Sequence, residues 1–440
     1  MNVLLKRIIE RLIRTGNLRV TGPTGATFAF GDGSGPPVHL HIKTRHAARA
    51  IALDPALALP EAFMDEELDF IEGDVLAFLR TVYENMGPHG IDAAWARAFE
   101  SLRVAFRRFQ QINTTARSRR NVEHHYDLNG ELYRLFLDRD MQYSCAYFER
   151  PDMTLDEAQM AKKRHIAAKL RMGPGLNVLD IGSGWGGLGL FLAERFDAEV
   201  LGVTLSTEQH AVASERARAA GLDQRVHFEI RDYRDLSERF DRIVSVGMFE
   251  HVGVNHYRTY FDKCATLLKP DGVMVLHSIG RAGPPSGTAA FIRKYIFPGG
   301  YIPALSEVLP HIEKAGLFVT DVEILRLHYA ETLKAWRERF LANRDKAKAL
   351  YDERFCRMWE FYLSGSEASF RWQDLMVFQI QIAKKNDVVP LTRDYIAKTE
   401  KSLAMHDIGH SARPPVAQPG EPVPAKAPTR ATRRRKVSKE

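Results

Sequence analysis

Asn177-Val178-Leu179-Asp180-Ile181-Gly182-Ser183-Gly184-Trp185-Gly186-Gly187 is the stretch whose reading decides the fold. A short apolar run ends in a carboxylate, and glycines at 182, 184, 186 and 187 follow at once. The run has the length of a buried strand, and the glycines let the backbone turn sharply in front of the next helix. Four similar apolar runs lie downstream: Ala198-Glu199-Val200-Leu201-Gly202-Val203, Val226-His227-Phe228-Glu229-Ile230, Arg242-Ile243-Val244-Ser245-Val246 and Gly272-Val273-Met274-Val275-Leu276. Helix-length segments separate them, which predicts βαβ units and a doubly wound parallel sheet of the α/β class. In such sheets ligands sit at the carboxyl ends of the strands, near the switch point of strand order.

The spacing Asp-x-Gly-x-Gly narrows the ligand. A dinucleotide-binding strand calls for Gly-x-Gly-x-x-Gly and an acid at the end of the second strand. Here Gly187 fits the third slot only loosely, and the second strand runs into Gly202-Val203-Thr204-Leu205-Ser206 with no acid. The pattern is similar to class I methyltransferases with a Rossmann-like sheet, where Asp180 faces the cationic methionine end of S-adenosylmethionine. A merely structural glycine turn is the alternative.

Composition limits the other classes. The 440 residues allow two or three domains. No apolar run reaches 18 residues, and Met1–Val20 mixes charges into its apolar pattern, so neither a transmembrane helix nor a signal peptide is expected. Cys145, Cys264 and Cys356 are too few and scattered for a disulfide framework or a zinc site; a reduced, cytoplasmic protein without bound metal is expected. From Arg413 onward eight basic residues face only Glu421 and Glu440, so the tail carries +6 of the net +7 and the body is nearly neutral. That placement argues against nucleic acid as a partner. The tail is rich in Pro and Ala without apolar periodicity, and residues 406–440 are expected to be disordered, with attraction to anionic lipid or no role at all as the two readings.

Upstream of the sheet, Leu4, Leu5, Ile8, Ile9, Leu12 and Ile13 recur at helical spacing opposite Lys6, Arg7, Glu10, Arg11 and Arg14. Such a helix lies on a membrane surface or packs on its own domain. Gly31–Pro37 reads as a turn between strands, and His39-Leu40-His41-Ile42 as a half-buried strand rather than a metal site. Helical patterns run from about Asp74 to Gln110. The polar stretch Asn113–Arg120 reads as a linker, which sets the expected domains at 1–115 (smaller, mixed α/β), 116–405 (methyltransferase) and 406–440 (tail).

Seven blocks, in order, carry a more specific likeness. They are His125-Tyr126-Asp127-Leu128, Met141-Gln142-Tyr143-Ser144-Cys145-Ala146-Tyr147-Phe148, Val203-Thr204-Leu205-Ser206-Thr207-Glu208-Gln209, Met248-Phe249-Glu250-His251-Val252-Gly253, His277-Ser278-Ile279-Gly280, Phe297-Pro298-Gly299-Gly300-Tyr301-Ile302-Pro303 and His328-Tyr329-Ala330-Glu331-Thr332-Leu333. Over about Asn121–Lys385 the chain resembles cyclopropane-fatty-acyl-phospholipid synthases and the related mycolic acid cyclopropane synthases. The resemblance implies methylene transfer from S-adenosylmethionine to the double bond of unsaturated acyl chains in membrane phospholipids. It implies a cofactor site of Tyr143, Ser144, Leu179, Asp180, Gly182, Gly184, Gly186, Thr204, Leu205, Ser206, Gln209, Tyr233 and Arg234. It also implies a bound bicarbonate as proton acceptor, held by Cys145, Glu250, His277, Ile279 and Tyr329. The N-terminal domain resembles the family's lipid-engaging domain, and a peripheral homodimer at the inner membrane face is expected.

The chemistry suits that set. An isolated alkene is a feeble nucleophile, so alignment against the sulfonium matters, and methyl transfer leaves a carbocation that must lose a proton before water captures it. Aromatic faces stabilise such a cation without reacting; Tyr143, Tyr147, Phe148, Phe249, Tyr301 and Tyr329 are candidates, or simply core. Three positions depart from the family pattern: Asn129-Gly130 is inverted, Ser183 replaces a frequent Cys, and Ser366 stands where some members have a Cys, which speaks against thiol catalysis there. A methyl-branched or methylene product, methylation of a small nitrogen or oxygen nucleophile, and a non-catalytic lipid-binding scaffold are the competing functions.

Overall fold

The computed structural model describes residues 2–87 and 130–410. The linker at 113–120, the block at 125–128 and the inverted turn at 127–129 lie outside the described residues, as do residues 411–440 of the expected tail. Residues 406–410, assigned above to that tail, are helical: they end the helix Asp394–His410.

The larger sheet has seven strands, β5 (Asn177–Ile181), β6 (Glu199–Thr204), β7 (Val226–Ile230), β8 (Phe240–Val246), β9 (Leu268–Arg281), β10 (Phe318–Ile324) and β11 (Leu375–Ala383), in the order β10-β11-β9-β8-β5-β6-β7. Strands β5 to β9 pair in parallel, while β11 is antiparallel to both β9 and β10. The chain leaves β5 toward β6 and β7, then returns to the other side through β8 and β9. The switch point therefore falls between β5 and β8. Side chains alternate faces along each strand, and both faces are covered. Val178, Val200, Val244 and Val275 pack with Leu192 and Phe228 on one side. Leu179, Ile181, Val203, Ile243 and Met274 pack with Phe261 and Leu267 on the other. That double burial explains why these strands read as near-continuous apolar runs.

The sequence reading placed the five parallel strands but not β10 and β11, and it shortened β9. Strand β9 begins at Leu268, four residues before the Gly272 start expected, because a register shift between Phe240 and Arg242 takes up the extra residues. Helix Leu155–Lys169, opened by a capping box of Thr154 and Glu157, is buried along nearly its whole length despite its polar sequence. It lies between the sheet and helix Asp394–His410, and His165 hydrogen-bonds both Glu323 of β10 and Glu400 of that helix.

Among the described residues, the smaller unit has helix Val3–Leu12, three further helices and a four-stranded sheet in the order β2-β1-β3-β4, formed by β1 (Asn17–Thr21), β2 (Thr27–Phe30), β3 (Pro37–Ile42) and β4 (Leu68–Glu72). In β3 Val38, Leu40 and Ile42 are buried and His39 and His41 half-buried, as the alternation predicts. His39 bonds Thr21 Oγ1 through Nε2 at 2.8 Å. The N-terminal helix packs on its own unit through Leu5, with Ile13 just beyond, and leaves Val3 and Leu4 exposed. Helix Val75–Met86 ends at Gly87, whose φ of 73° closes it; the remainder of the helical pattern up to Gln110 lies outside the described residues.

The two units are joined by polar contacts to helix Glu353–Trp372. Arg357 Nη1 meets Asp69 Oδ1 at 2.8 Å and donates to Phe63 O at 3.0 Å, and Arg354 bonds Asp65 at 2.7 Å. Glu61 accepts from Lys294 Nζ and Tyr295 Oη at 2.6 and 2.7 Å.

Candidate functional site

The carboxyl ends of β5 and β6 and the loop after β8 open on a cleft with a cavity volume of about 160 Å³. Its floor is the glycine turn. Gly182 and Gly186 both take φ of 83°, in the left-handed region that L side chains avoid. A Cβ on Gly182 would lie 2.8 Å from Met248 Cβ, and one on Gly186 2.7 Å from Phe228 Cζ, so these positions have no room for a side chain. The Gly182 and Ser183 amides donate to Val203 O at 2.9 and 3.1 Å, which ties the turn to β6.

Of the thirteen expected cofactor residues, ten line this cleft: Tyr143, Ser144, Asp180, Gly182, Gly184, Thr204, Leu205, Gln209, Tyr233 and Arg234. The other three support it from behind. Leu179 is wholly buried in the core, Gly186 caps helix Gly187–Phe196, and Ser206 caps helix Thr207–Ala219 by accepting from the Gln209 amide at 3.2 Å. Thr204 Oγ1 donates to Gln209 Oε1 at 3.1 Å, fixing both side chains. Asp232, buried, accepts from Arg234 Nε at 2.9 Å and Nη2 at 2.6 Å, and this pair holds the Tyr233 side of the cleft.

Asp180 is 2% exposed, and burial raises its carboxyl to about 7, opposed by the charge of Lys162. Lys162 also lines the cleft. Its ammonium donates to Gln142 Oε1 and Ser144 Oγ, each at 2.8 Å, and burial lowers it to about 8. Desolvation holds the His251 imidazole down at about 4, so it is neutral at physiological pH.

The five expected anion-site residues lie next to this cleft rather than on its walls. Glu250, at the turn after β8, accepts from the Ile279 amide through Oε1 at 2.7 Å, while its Oε2 is buried without a hydrogen-bond partner of normal geometry. Burial raises Glu250 to about 7, against hydrogen bonds from Ile279 and Ser278. His277 stands two residues before Ile279 on β9. Its Nδ1 pairs with Gln379 Nε2 at 3.0 Å, and burial, with Lys162 and Lys169 nearby, keeps the ring neutral. Cys145 is buried with its thiol pushed up by desolvation, so it is no thiolate. The next amide, Ala146 N, donates to Thr332 Oγ1 at 3.0 Å, one helical turn from Tyr329. Tyr329 packs edge-on to Trp336 at 5.7 Å and against Phe370 at 4.8 Å.

Among the aromatic candidates, Tyr143 stacks on Trp336 at 5.2 Å and shares a hydrogen bond with Tyr362 at 2.8 Å, so Tyr143 and Tyr329 flank one indole. Tyr147 and Phe148 group instead around His328, and Phe249 stacks on Tyr257 inside the core. Sequence reasoning missed Lys162, Asp232, Gln142, Met248 and His251 as cleft residues. Gln142, Met248 and His251 stood in quoted blocks and Asp232 beside Tyr233, so those signals were present; nothing local marked Lys162.

Comparison with known proteins agrees with this geometry. The family model "Mycolic acid cyclopropane synthetase" matches residues 113–380, and a domain of unknown function matches residues 4–89. The chain is 38% identical over 350 residues to the cyclopropane-fatty-acyl-phospholipid synthase of Escherichia coli K12, covering 79% of this chain and 88% of that one. It is 35% identical over 390 residues to the tuberculostearic acid methyltransferase UfaA1 of Mycobacterium tuberculosis, covering 86% and 90%. The mycolic acid cyclopropane synthase CmaA1, solved as a complex with SAH and CTAB, superposes with a TM-score of 0.57 at 37% identity, covering 60% of this chain and 97% of that one. With a parallel sheet switched at β5 and a glycine turn beneath the cleft, the chain belongs to the mycolic acid cyclopropane synthetase family of S-adenosylmethionine-dependent methyltransferases.

Proposed function

We propose that the chain converts the double bond of unsaturated acyl chains in membrane phospholipids into a cyclopropane ring, with S-adenosylmethionine as one-carbon donor and bicarbonate as proton acceptor. The observation that carries this is the Glu250 carboxyl. It is buried, held on one oxygen by the amide of Ile279, two residues past neutral His277, and among the described residues its other oxygen has no hydrogen-bond partner of normal geometry. A buried polar atom without a partner is costly unless a ligand supplies one, and a group titrating near 7 suits proton transfer. An oxyanion that is itself a base fits between such groups: donors from His277 and Tyr329 hold it, and Glu250, when ionised, accepts its proton in a hydrogen bond. Bound there, bicarbonate would supply the base.

In the reaction the sulfonium methyl bonds to one alkene carbon as its bond to sulfur breaks, and S-adenosylhomocysteine leaves. The other alkene carbon becomes cationic. Loss of a proton from the new methyl frees the electron pair that closes the ring. Tyr143 and Tyr329 offer rings that stabilise the cation without capturing it, and Trp336 packs between them.

A second product class is supported by the likeness to the tuberculostearic acid methyltransferase. There the chain would deliver the methyl without closing the ring: a 1,2-hydride shift to the cationic carbon followed by loss of a proton from the new methyl gives a methylene product, and loss of a proton from a chain carbon gives a methyl-branched alkene. Incubating the protein with monounsaturated phospholipid vesicles and S-adenosylmethionine bearing CD3, then weighing the released fatty acids, separates the two. Two retained deuteriums with no alkene support ring closure; two retained with an alkene mean the methylene product, and three retained mean a methyl branch. No labelled lipid despite cofactor binding refutes the lipid assignment.

The same proposal has the protein work peripherally at the cytoplasmic face of the membrane, as a homodimer. Among the described residues no helix is long and apolar enough to cross a membrane. The exposed Val3 and Leu4, beside the basic face of the first helix, support surface docking; the dimer rests on the family resemblance.

A further inference from the structure

Helix Leu155–Lys169 brings a lysine into the cleft wall that the chemistry above does not use. The Lys162 side chain is fully buried, and both of its hydrogen-bond acceptors, Gln142 Oε1 and Ser144 Oγ, are neutral. Two carboxylates that act on its charge, Asp138 and Asp140, are hydrogen-bonded elsewhere. Asp140 pairs with Lys163 and Arg216, and Asp138 accepts from the amides of Asp140 and Gln142. Among the described residues the ammonium donates only to neutral acceptors, and Asp180 beside it in the cleft wall is itself raised to about 7 by burial, so an incoming anion would complete the surroundings of a buried charge. Two of its three N–H groups are used, and the residue lines the cleft beside Asp180.

The hydrogen-bond direction matters. An ammonium only donates, so Ser144 Oγ must accept from Lys162, and the Ser144 proton is left to point elsewhere, with the cleft beside it. Gln159 Nε2 fixes the same segment by donating to Ser144 O at 2.9 Å. Lysine and serine together thus present donors where the cofactor's amino-acid end has one anionic group, its carboxylate, and two cationic ones. Positive charge at Lys162 favours the first and disfavours the others.

Resting on S-adenosylmethionine as the methyl donor, we propose that Lys162 is the positioning residue that makes the cleft select the cofactor's α-carboxylate, both by its charge and by turning the Ser144 hydroxyl outward as a donor. The selectivity belongs to the cofactor site and is independent of the lipid.

The test is calorimetric titration of the full chain with S-adenosylhomocysteine and with its decarboxylated analogue, S-adenosyl-3-thiopropylamine. Wild type should bind the carboxylate-bearing ligand at least about tenfold more tightly. Lys162→Met should lose that preference, weakening S-adenosylhomocysteine about tenfold while leaving the analogue within twofold. Should Lys162→Met fail to fold, Ser144→Ala decides: the same selective loss supports the proposal, and an unchanged ratio overturns it. Equal weakening of both ligands by Lys162→Met, or of neither, also overturns it. Wild type that binds neither ligand would refute the methyl-donor reading itself, a result distinct from loss of selectivity.

Discussion

Replacing Glu250 with Gln should stabilise the unliganded protein while disabling it. The glutamate is nearly buried, and desolvation raises it from 4.5 to about 7. Between those values the folded chain holds a proton that the unfolded chain has released, so stability is complete below about pH 4.5, falls as pH rises through the window, and levels above pH 7. At about 1.4 kcal/mol per tenfold difference in proton affinity, the cost above the window is about 3 kcal/mol. Glutamine keeps an oxygen for the Ile279 amide and carries no charge. Its advantage over wild type should therefore be below about 1 kcal/mol at pH 5 and about 3 kcal/mol at pH 8.5. For a chain of this size unfolding as one unit, that corresponds to about 3 °C in Tm. Scanning calorimetry of both proteins across pH 5–8.5 measures the difference directly, and comparison at each pH cancels the titration of Asp180. Vesicle activity of the variant should fall by about 10²–10⁴. A Tm difference that does not change with pH, or a variant less stable at pH 8.5, would refute the claim that burial, rather than some positive partner, sets this carboxyl.

Three further outcomes are expected. Gly186→Ala must accommodate a Cβ 2.7 Å from Phe228 Cζ at a φ of 83°; a cost of about 1–2 kcal/mol from backbone strain alone should appear in thermal unfolding, with weaker S-adenosylhomocysteine binding by calorimetry. Leu4→Glu, on the exposed side of the first helix, should reduce activity on vesicles several-fold and leave cofactor affinity unchanged; equal loss of both would make the helix purely structural. Arg357→Ala removes the contacts to Asp69 and to Phe63 O and should cost about 2 kcal/mol in denaturant unfolding, with faster tryptic cleavage between the two units.

The parts of the fold that the sequence made legible are those that local geometry dictates. The glycine turn had to follow β5 because no side chain fits at 182 or 186, and β5 to β8 stood out because both their faces are covered. Helix Leu155–Lys169 escaped notice for the opposite reason. Its Gln-Met-Ala-Lys-Lys-Arg-His stretch has the composition of a solvated surface, and what buries it, Glu323 and Glu400, arrives about 160 and 235 residues later in the chain. Lys162 was invisible with it. The Glu250–Ile279 contact is likewise a product of β8 and β9 lying side by side; only the family resemblance, not the spacing, brought those residues together beforehand.

Strand β11 lies between β9 and β10 and supplies Gln379 to His277, yet it is made near the end of the chain. Synthesis therefore delivers the two halves of the active centre at different times. Residues 177–246, which hold the glycine turn and most of the cleft, leave the ribosome well before residue 375 is added. The half that grips the cofactor has its parts while β9 still lacks its inner neighbour; the half that handles the proton does not. On the proposal above, a nascent polypeptide is thus furnished for binding before it is furnished for turnover, and the last strand to emerge completes the surroundings of His277.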